Sequence, residues 1–458
     1  MKYRTVFGLM LSVLLLLTAG SGLASGPQPT EPSEAAGANA SLAANTPWFN
    51  IYVDTPGNTG QYASVAIDPS SGITYVSYYD ATTKSLRWAR SRGGVGNCGP
   101  NNDWSCSTVD DFRDPGQYNS IAISPTSGGV GFAYYAAFDG QLKYAYYSCG
   151  PLCWWQKHTI DEGLGGVSVV GKHTSLQYSP GGIPYIAYYF ERDVGDDALM
   201  LAYYVGIGGN CGLGSVAGQW QCDTIDAGEG VGQYASLTLD AAGNRHIAYY
   251  DGGNGDLWYA TSNYSGAGFC GPGGTWLCYP IAASGDVGQY ASLYMEGSND
   301  FHIAYYDATN DAVYYAFNKG SGGNCGVLGS AQCSWIDDTT GDYHPLGISM
   351  VEDVNGRPII AYQSAFNSLN VARPNSLFYG GIGVPGNCGP GYPGGHWDCE
   401  TIKRVGIGIR QADFVSIDFN SAGLATIAYY GSISTSGGDL QVAYQRLRVF
   451  LPLVMKNQ

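Results

Sequence analysis

Gly-Gln-Tyr occurs at Gln61-Tyr62, Gln117-Tyr118, Gln233-Tyr234 and Gln289-Tyr290. An Asp follows a Tyr-Tyr pair at Asp80, Asp251 and Asp307. Aromatic faces can cover the C–H groups of a sugar ring, while amides and carboxylates hydrogen-bond its hydroxyls. The same residues could instead join one repeat to the next, because stacked repeats must share interface residues. One copy departs from the pattern and carries Gly171-Lys172-His173, followed by a longer charged loop over Glu191–Asp197. Other departures are His344, Arg373, Lys403, Arg404 and Arg410. Basic groups on an acidic chain could mark a site for an anionic ligand, although surface loops also drift freely.

Two acidic turns, Asp251-Gly-Gly-Asn-Gly-Asp256 and Asp307-Ala-Thr-Asn-Asp311, could bind calcium through their oxygens. Neither completes a calcium loop with a distal Glu, and such Asp/Asn/Gly content is also ordinary turn chemistry. No other cofactor is implied. The chain contains no G-x-S-x-G elbow, H-E-x-x-H pair or phosphate-binding loop.

The elements that must position these residues follow from an internal repeat. A serine-led apolar run followed by Ile-Ala-Tyr-Tyr or a close variant returns seven times, at Ser64, Ser120, Ser175, Ser236, Ser292, Ser349 and Ser416. Each copy holds four strand-like runs. The first starts at the Ser, and a turn such as Asp240–Gly243 leads to the second, Ile-Ala-Tyr-Tyr. The third is Leu-x-aromatic-Ala, as at Leu257–Ala260, and the fourth is W-x-C-x-x-[IV]-D, as at Trp104–Asp110. Four short antiparallel strands per repeat of this length predict an all-β, seven-bladed propeller. The Gly-Gln-Tyr and Tyr-Tyr-Asp motifs then fall in loops on one face. The Ile-Ala-Tyr-Tyr run does not alternate in polarity, as expected for a strand covered on both faces, so its hydroxyls need partners between blades. The seventh copy ends after its third strand, while Trp48–Asp54 matches a fourth strand. The N-terminal strand is therefore expected to complete the last blade and close the ring.

Twelve cysteines form six neighbouring pairs: Cys98/Cys106, Cys149/Cys153, Cys211/Cys222, Cys270/Cys278, Cys325/Cys333 and Cys388/Cys399. Each pair flanks the turn between strands three and four, which predicts six local disulfides. Each closes a loop of roughly ten residues, worth on the order of 2–3 kcal/mol. Cys149-x3-Cys153 has a zinc-like spacing, but zinc needs four convergent ligands and these pairs fall one per repeat, so no metal is expected at the cysteines.

Composition agrees. The chain has 458 residues, 68 Gly and 37 Tyr, and only 13% are charged. A formal charge of −16 excludes a nucleic-acid partner, since phosphate binding needs a basic face. Residues 1–24 read as a secretory signal, with Lys2 and Arg4 before a short apolar run and Gly22-Leu23-Ala24 for cleavage. No membrane-spanning segment is expected in the mature chain. Residues 25–47 read as a flexible Pro/Ala/Ser linker, residues 48–448 as the propeller and 449–458 as an apolar tail.

The run His302-Ile-Ala-Tyr-Tyr-Asp307, continued at Val313-Tyr-Tyr-Ala316, resembles secreted bacterial propeller repeats of the sialidase-like and fucose-lectin-like class. The tail's Phe450-Leu-Pro-Leu-Val454 resembles a short C-terminal motif of Chloroflexi-type secreted proteins. A sialidase would imply an Arg-Ile-Pro start and S-x-D-x-G-x-T-W boxes, and the chain has neither. The expected function is a secreted, non-catalytic propeller that binds glycans or cell-surface material. The alternatives are a glycan-cleaving hydrolase or lyase near blades three, six and seven, and a structural or protein-interaction module.

Overall fold

The computed structural model describes residues 46–446 except 56, 150–152, 165–167, 194, 265–267, 299, 339–346, 365–367, 376–385, 390–394, 404–410 and 435–436. The leader, most of the linker and the tail lie outside the described residues. Among those described, no helix is long and apolar enough to cross a membrane.

The strands form seven four-stranded antiparallel sheets. Blade one runs Thr59–Ile67, Thr74–Asp80, Ser85–Ser91 and Trp104–Asp110, from the channel outward. The innermost strands of blades two to seven are Pro115–Ile123, Ser168–Tyr178, Val231–Leu239, Val287–Glu296, Ile348–Glu352 and Gln411–Phe419. Each packs beside the innermost strands of both neighbours, and the first adjoins the last. Trp48–Asp54 pairs antiparallel with Gly437–Gln445, so the N-terminal strand is the outer strand of blade seven, as its spacing predicts.

An innermost strand is a sheet edge, and its unpaired N–H groups need acceptors. The repeated serine supplies them. Ser64 Oγ accepts from Ile121 N (3.2 Å), Ser120 from Leu176, Ser175 from Leu237, Ser236 from Leu293, Ser292 from Met350 and Ser349 from Ile417. Ser416 closes the circle by accepting from Val65 N at 3.0 Å.

Tyrosines provide a second set of links. In five blades the first Tyr of this run is buried and donates to the strand-four Asp of the preceding blade; blade four has Ala282 at that position, and Tyr429 donates instead to Asn50 and Gln441. Tyr78 reaches Asp54 (2.6 Å), Tyr134 Asp110, Tyr188 Asp161, Tyr249 Asp226 and Tyr362 Asp337. Burial holds these phenols well above their usual pKa, so they act as donors. The cores accordingly lie between blades. Trp220, Tyr188 and Met200 of blade three pack with Leu142, Tyr144 and Ile160 of blade two.

Outside blade six, the innermost strands begin five or more residues before the serine. Gly-Gln-Tyr therefore lies within a strand, not in a loop as its sequence position suggests. A β-bulge makes room, with register breaks between Gln61 and Ser64 and at the matching positions of most other blades. The motif glycine has a steric cause. A Cβ on Gly60 (φ +101°) would sit 2.6 Å from the Cα of Leu440 in the neighbouring blade.

Five of the expected disulfides are present: Cys98–Cys106, Cys211–Cys222, Cys270–Cys278, Cys325–Cys333 and Cys388–Cys399. The side chains of Cys149 and Cys153 lie outside the described residues, although their backbones pair across the hairpin. Asn97, Asn210, Asn324 and Asn387 each accept from the backbone N–H of the second Cys at 2.7 Å and donate back to its carbonyl. The hairpins also tie blades together: Gly99 N donates to Val53 O, Gly212 N to Ile160 O, Gly271 N to Ile225 O and Gly326 N to Ile281 O.

Candidate functional site

The motif tyrosines meet on the channel axis. Tyr62, Tyr118, His173, Tyr234 and Tyr290 form an aromatic collar, with neighbouring ring centroids 4.4–4.7 Å apart, and the Phe414 ring of blade seven lies 4.4 Å from that of Tyr62, tilted by 40°. All six residues have φ between 49° and 55°. That left-handed conformation, unusual for an aromatic residue, turns each ring from the strand toward the axis. Blade six has Gly347 at this position, where a Cβ would meet Val415 N at 2.6 Å. The collar is therefore interrupted at one blade, and it lines a cavity of about 390 Å³.

Above the collar stand the motif side chains Gln61, Gln117, Gln233 and Gln289, all half-buried. Gln289 Nε2 donates to Asp286 at 3.2 Å, and the second tyrosine of the preceding blade, Tyr250, donates to the same carboxylate at 2.7 Å. Tyr79 and Asp114 repeat this geometry at 2.7 Å, as do Tyr430 and Asn58 at 2.8 Å. Lys172 occupies the Gln position in blade three and forms an ion pair with Glu191. Burial, with Lys172 adding repulsion, lowers the His173 imidazole to a pKa of about 3, so the ring is neutral at neutral pH.

Asp80, Asp251 and Asp307 are buried beside this rim and close hairpin turns. Asp251 accepts from Gly253 N, Asn254 N and Asn254 Nδ2, Asp307 from Asn310 N and Nδ2, and Asp80 from Thr82 N, Thr83 N and Thr83 Oγ1. Among the described residues, no group of three or more His, Cys, Asp or Glu side chains is arranged to hold a metal ion. Arg373 lies apart from the collar. It pairs with Glu400 at 3.3 Å and sits 6.0 Å from the Trp48 ring, among the outer strands of blades six and seven. His344, Arg404 and Arg410 lie outside the described residues. Lys172 and His173 thus meet at the channel, and Arg373 does not join them.

The same face carries a feature that motif reading missed. Phe112 and Phe138 are 63% and 71% exposed, and Arg113 lies between them. The guanidinium carbon is 4.4 Å from the Phe138 centroid and 5.8 Å from that of Phe112, and Arg113 Nε pairs with Asp139 at 2.7 Å. Arg113 has φ 69°, and Asp114 after it has φ 58°. In the matching loops of blades one and five this position is Gly57 and Gly285, with φ 105° and 103°. Blade two therefore places a large cation where blades one and five use glycine, at a conformational cost of order 1–3 kcal/mol. The legible signal was an Arg at a glycine position of the aligned loops.

No family model matches the chain, and no curated protein matches it. Solved structures with a similar course include AofleA from Arthrobotrys oligospora, with 12% identity and a TM-score of 0.44 over 80% of this chain and 94% of that one. The fucose-specific lectin of Aleuria aurantia shows 15% identity and a TM-score of 0.43 over 77% and 100%. Polysaccharide lyase Uly1 shows 9% identity and a TM-score of 0.46 over 83% and 88%.

Proposed function

We propose that this chain is a secreted, non-catalytic propeller that recognises glycans through the face carrying the channel mouth. The observation that supports this reading best is the Phe112–Arg113–Phe138 cluster. Two exposed aromatic faces offer stacking surface, and the Arg113–Asp139 pair between them offers planar donors and acceptors for hydroxyls. Strained backbone that displays a side chain is characteristic of ligand contacts. The amide rim and aromatic well lie on the same face. The disulfides and the leader-like N-terminus support export.

The test is a glycan array and titration calorimetry with wild type, Phe112→Ala/Phe138→Ala and Arg113→Gly. Arg113→Gly restores the residue used by the loops of blades one and five, so the fold should be kept or slightly stabilised while binding falls at least tenfold. Binding by wild type that is unchanged in both variants removes the reading, as does an absence of binding to any glycan.

A glycan-cleaving activity is the second reading. It is favoured by His173, a neutral imidazole that faces the cavity beside Lys172 and Glu191. Depolymerisation of a candidate polysaccharide that is lost in His173→Phe would replace the first reading with this one.

A further inference from the structure

The opposite face of the ring holds the turns between strands one and two and the cysteine hairpins. Between blades two and three it opens into a cleft of about 490 Å³. Blade two contributes Tyr144, Tyr146, Tyr147 and His158, and blade three contributes Tyr178, Tyr204, Gln219 and Trp220. Tyr146 and Tyr204 are 37% and 40% exposed. Trp220 lies behind them, 5.3 Å from the Tyr144 ring and 5.8 Å from the Tyr204 ring.

Two local departures open this space. Gly131 stands where blades one and three carry Tyr75 and Tyr185. A Cβ there would fall 2.1 Å from Tyr178 Oη, so only glycine admits the 2.6 Å bond between the Tyr144 and Tyr178 hydroxyls. In addition, the backbones of Cys149 and Cys153 pair across the hairpin only four residues apart, whereas the described bridges span 8 or 11.

Among the described residues, no Asp, Glu, Lys or Arg lines the cleft, on a chain of net charge −16. Burial lowers the His158 pKa, so its ring is neutral at neutral pH. The polar atoms on offer are uncharged: the Tyr204 hydroxyl, which donates to Gln219 Oε1 at 3.4 Å, the Gln219 amide held on Ser215 O at 2.9 Å, and the paired tyrosine hydroxyls. An anionic ligand would gain no counter-charge here, and a purely apolar one would strand these polar groups. A saccharide ring satisfies both, with C–H faces for the tyrosines and hydroxyls for the amide and phenols.

We propose that this cleft between blades two and three is a second binding site, selective for uncharged saccharides. It uses different residues from the channel-mouth site and lies on the other face. It rests on the glycan-binding reading only in the class of ligand.

The experiment titrates the full-length oxidised protein with neutral gluco-, manno-, galacto-, xylo- and fuco-oligosaccharides. Wild type is compared with Tyr146→Ala/Tyr204→Ala, with Gln219→Ala and with the mouth variant Phe112→Ala/Phe138→Ala. Unfolding midpoints check that each variant is folded, and Gln219→Ala serves if the tyrosine pair is not. The expected result is a neutral oligosaccharide bound by wild type, at least tenfold weaker in the cleft variants and unchanged in the mouth variant. Binding weakened only in the mouth variant overturns the cleft and leaves the mouth reading standing. No affinity of wild type for any uncharged oligosaccharide also overturns it, whatever charged glycans do.

Discussion

Ser416 Oγ accepts a 3.0 Å hydrogen bond from the backbone N–H of Val65, 351 residues earlier in the chain. It is chemically the same bond that Ser236 makes with Leu293, 57 residues later. The ring has no privileged start: its seam is joined by the same device as every other junction. Ser416→Ala strands a part-buried N–H and should cost about 1–3 kcal/mol. Ser236→Ala should cost a similar amount. Urea unfolding of both variants checks this, and a much larger loss at Ser416 would show that the seam depends on more than its repeat bonds.

Asp54 joins the N-terminal strand to blade one. It accepts from Tyr78 Oη at 2.6 Å and pairs with Arg87 Nη2 at 2.9 Å. Asp54→Ala leaves a buried phenol and a largely buried guanidinium without this acceptor. The expected loss is about 3 kcal/mol, read as a lower denaturant midpoint. Asp54→Asn keeps an acceptor and should lose less.

Gly60 and Gly243 both have positive φ, but only Gly60 faces another backbone. Gly243→Ala meets nothing within 4 Å and should cost about 1 kcal/mol of conformational strain. Gly60→Ala adds a 2.6 Å clash with Leu440 and should separate blades seven and one. Thermal unfolding of the two variants should therefore differ by well over 5 °C in midpoint, on the order expected for several kcal/mol.

Asp418 accepts from Ile67 N at 2.6 Å, and burial raises its carboxyl pKa to about 6. The folded state therefore holds this proton more tightly than the unfolded chain. Its contribution to stability falls as pH rises from about 4 to 6 and is level above that. Asp418→Asn keeps the acceptor and removes the titration, so the variant should gain stability relative to wild type across that window. His173 has the opposite sign. Its folded pKa of about 3 lies below the unfolded value, so it lowers stability as pH falls from 6.5 toward 3. His173→Phe, which uses the ring type that blade seven places at Phe414, should flatten that limb. Unfolding midpoints between pH 3 and 8 read both effects.

The repeat made the blades legible because each copy reports the same constraints. Closure by Trp48–Asp54 was readable because copy seven lacks the strand that the N-terminus supplies. The pairing in the five described bridges followed because each pair flanks a turn between strands three and four, and the strands of blade seven that come from opposite chain ends carry none. The Gly-Gln-Tyr motif was misplaced into loops because periodicity does not reveal a β-bulge or a positive φ at Tyr62. Lys172 and His173 were recognisable as departures, but their neighbours Glu191, Tyr118 and Tyr234 come together only through the fold.

Sequence alone determined the blade count, the order of strands and the five described bridges, since these rest on patterns within one repeat. Tertiary structure decided which polar residues join blades and which face solvent. Ser64 and Tyr78 are used up by an N–H group and a carboxylate that adjoin them only in the ring. Phe112, Arg113, Phe138, Tyr146 and Tyr204 keep exposed surface because the packing around them leaves it uncovered. Exposure is a property of neighbours, and most of these neighbours are supplied by other strands and by the adjacent blade.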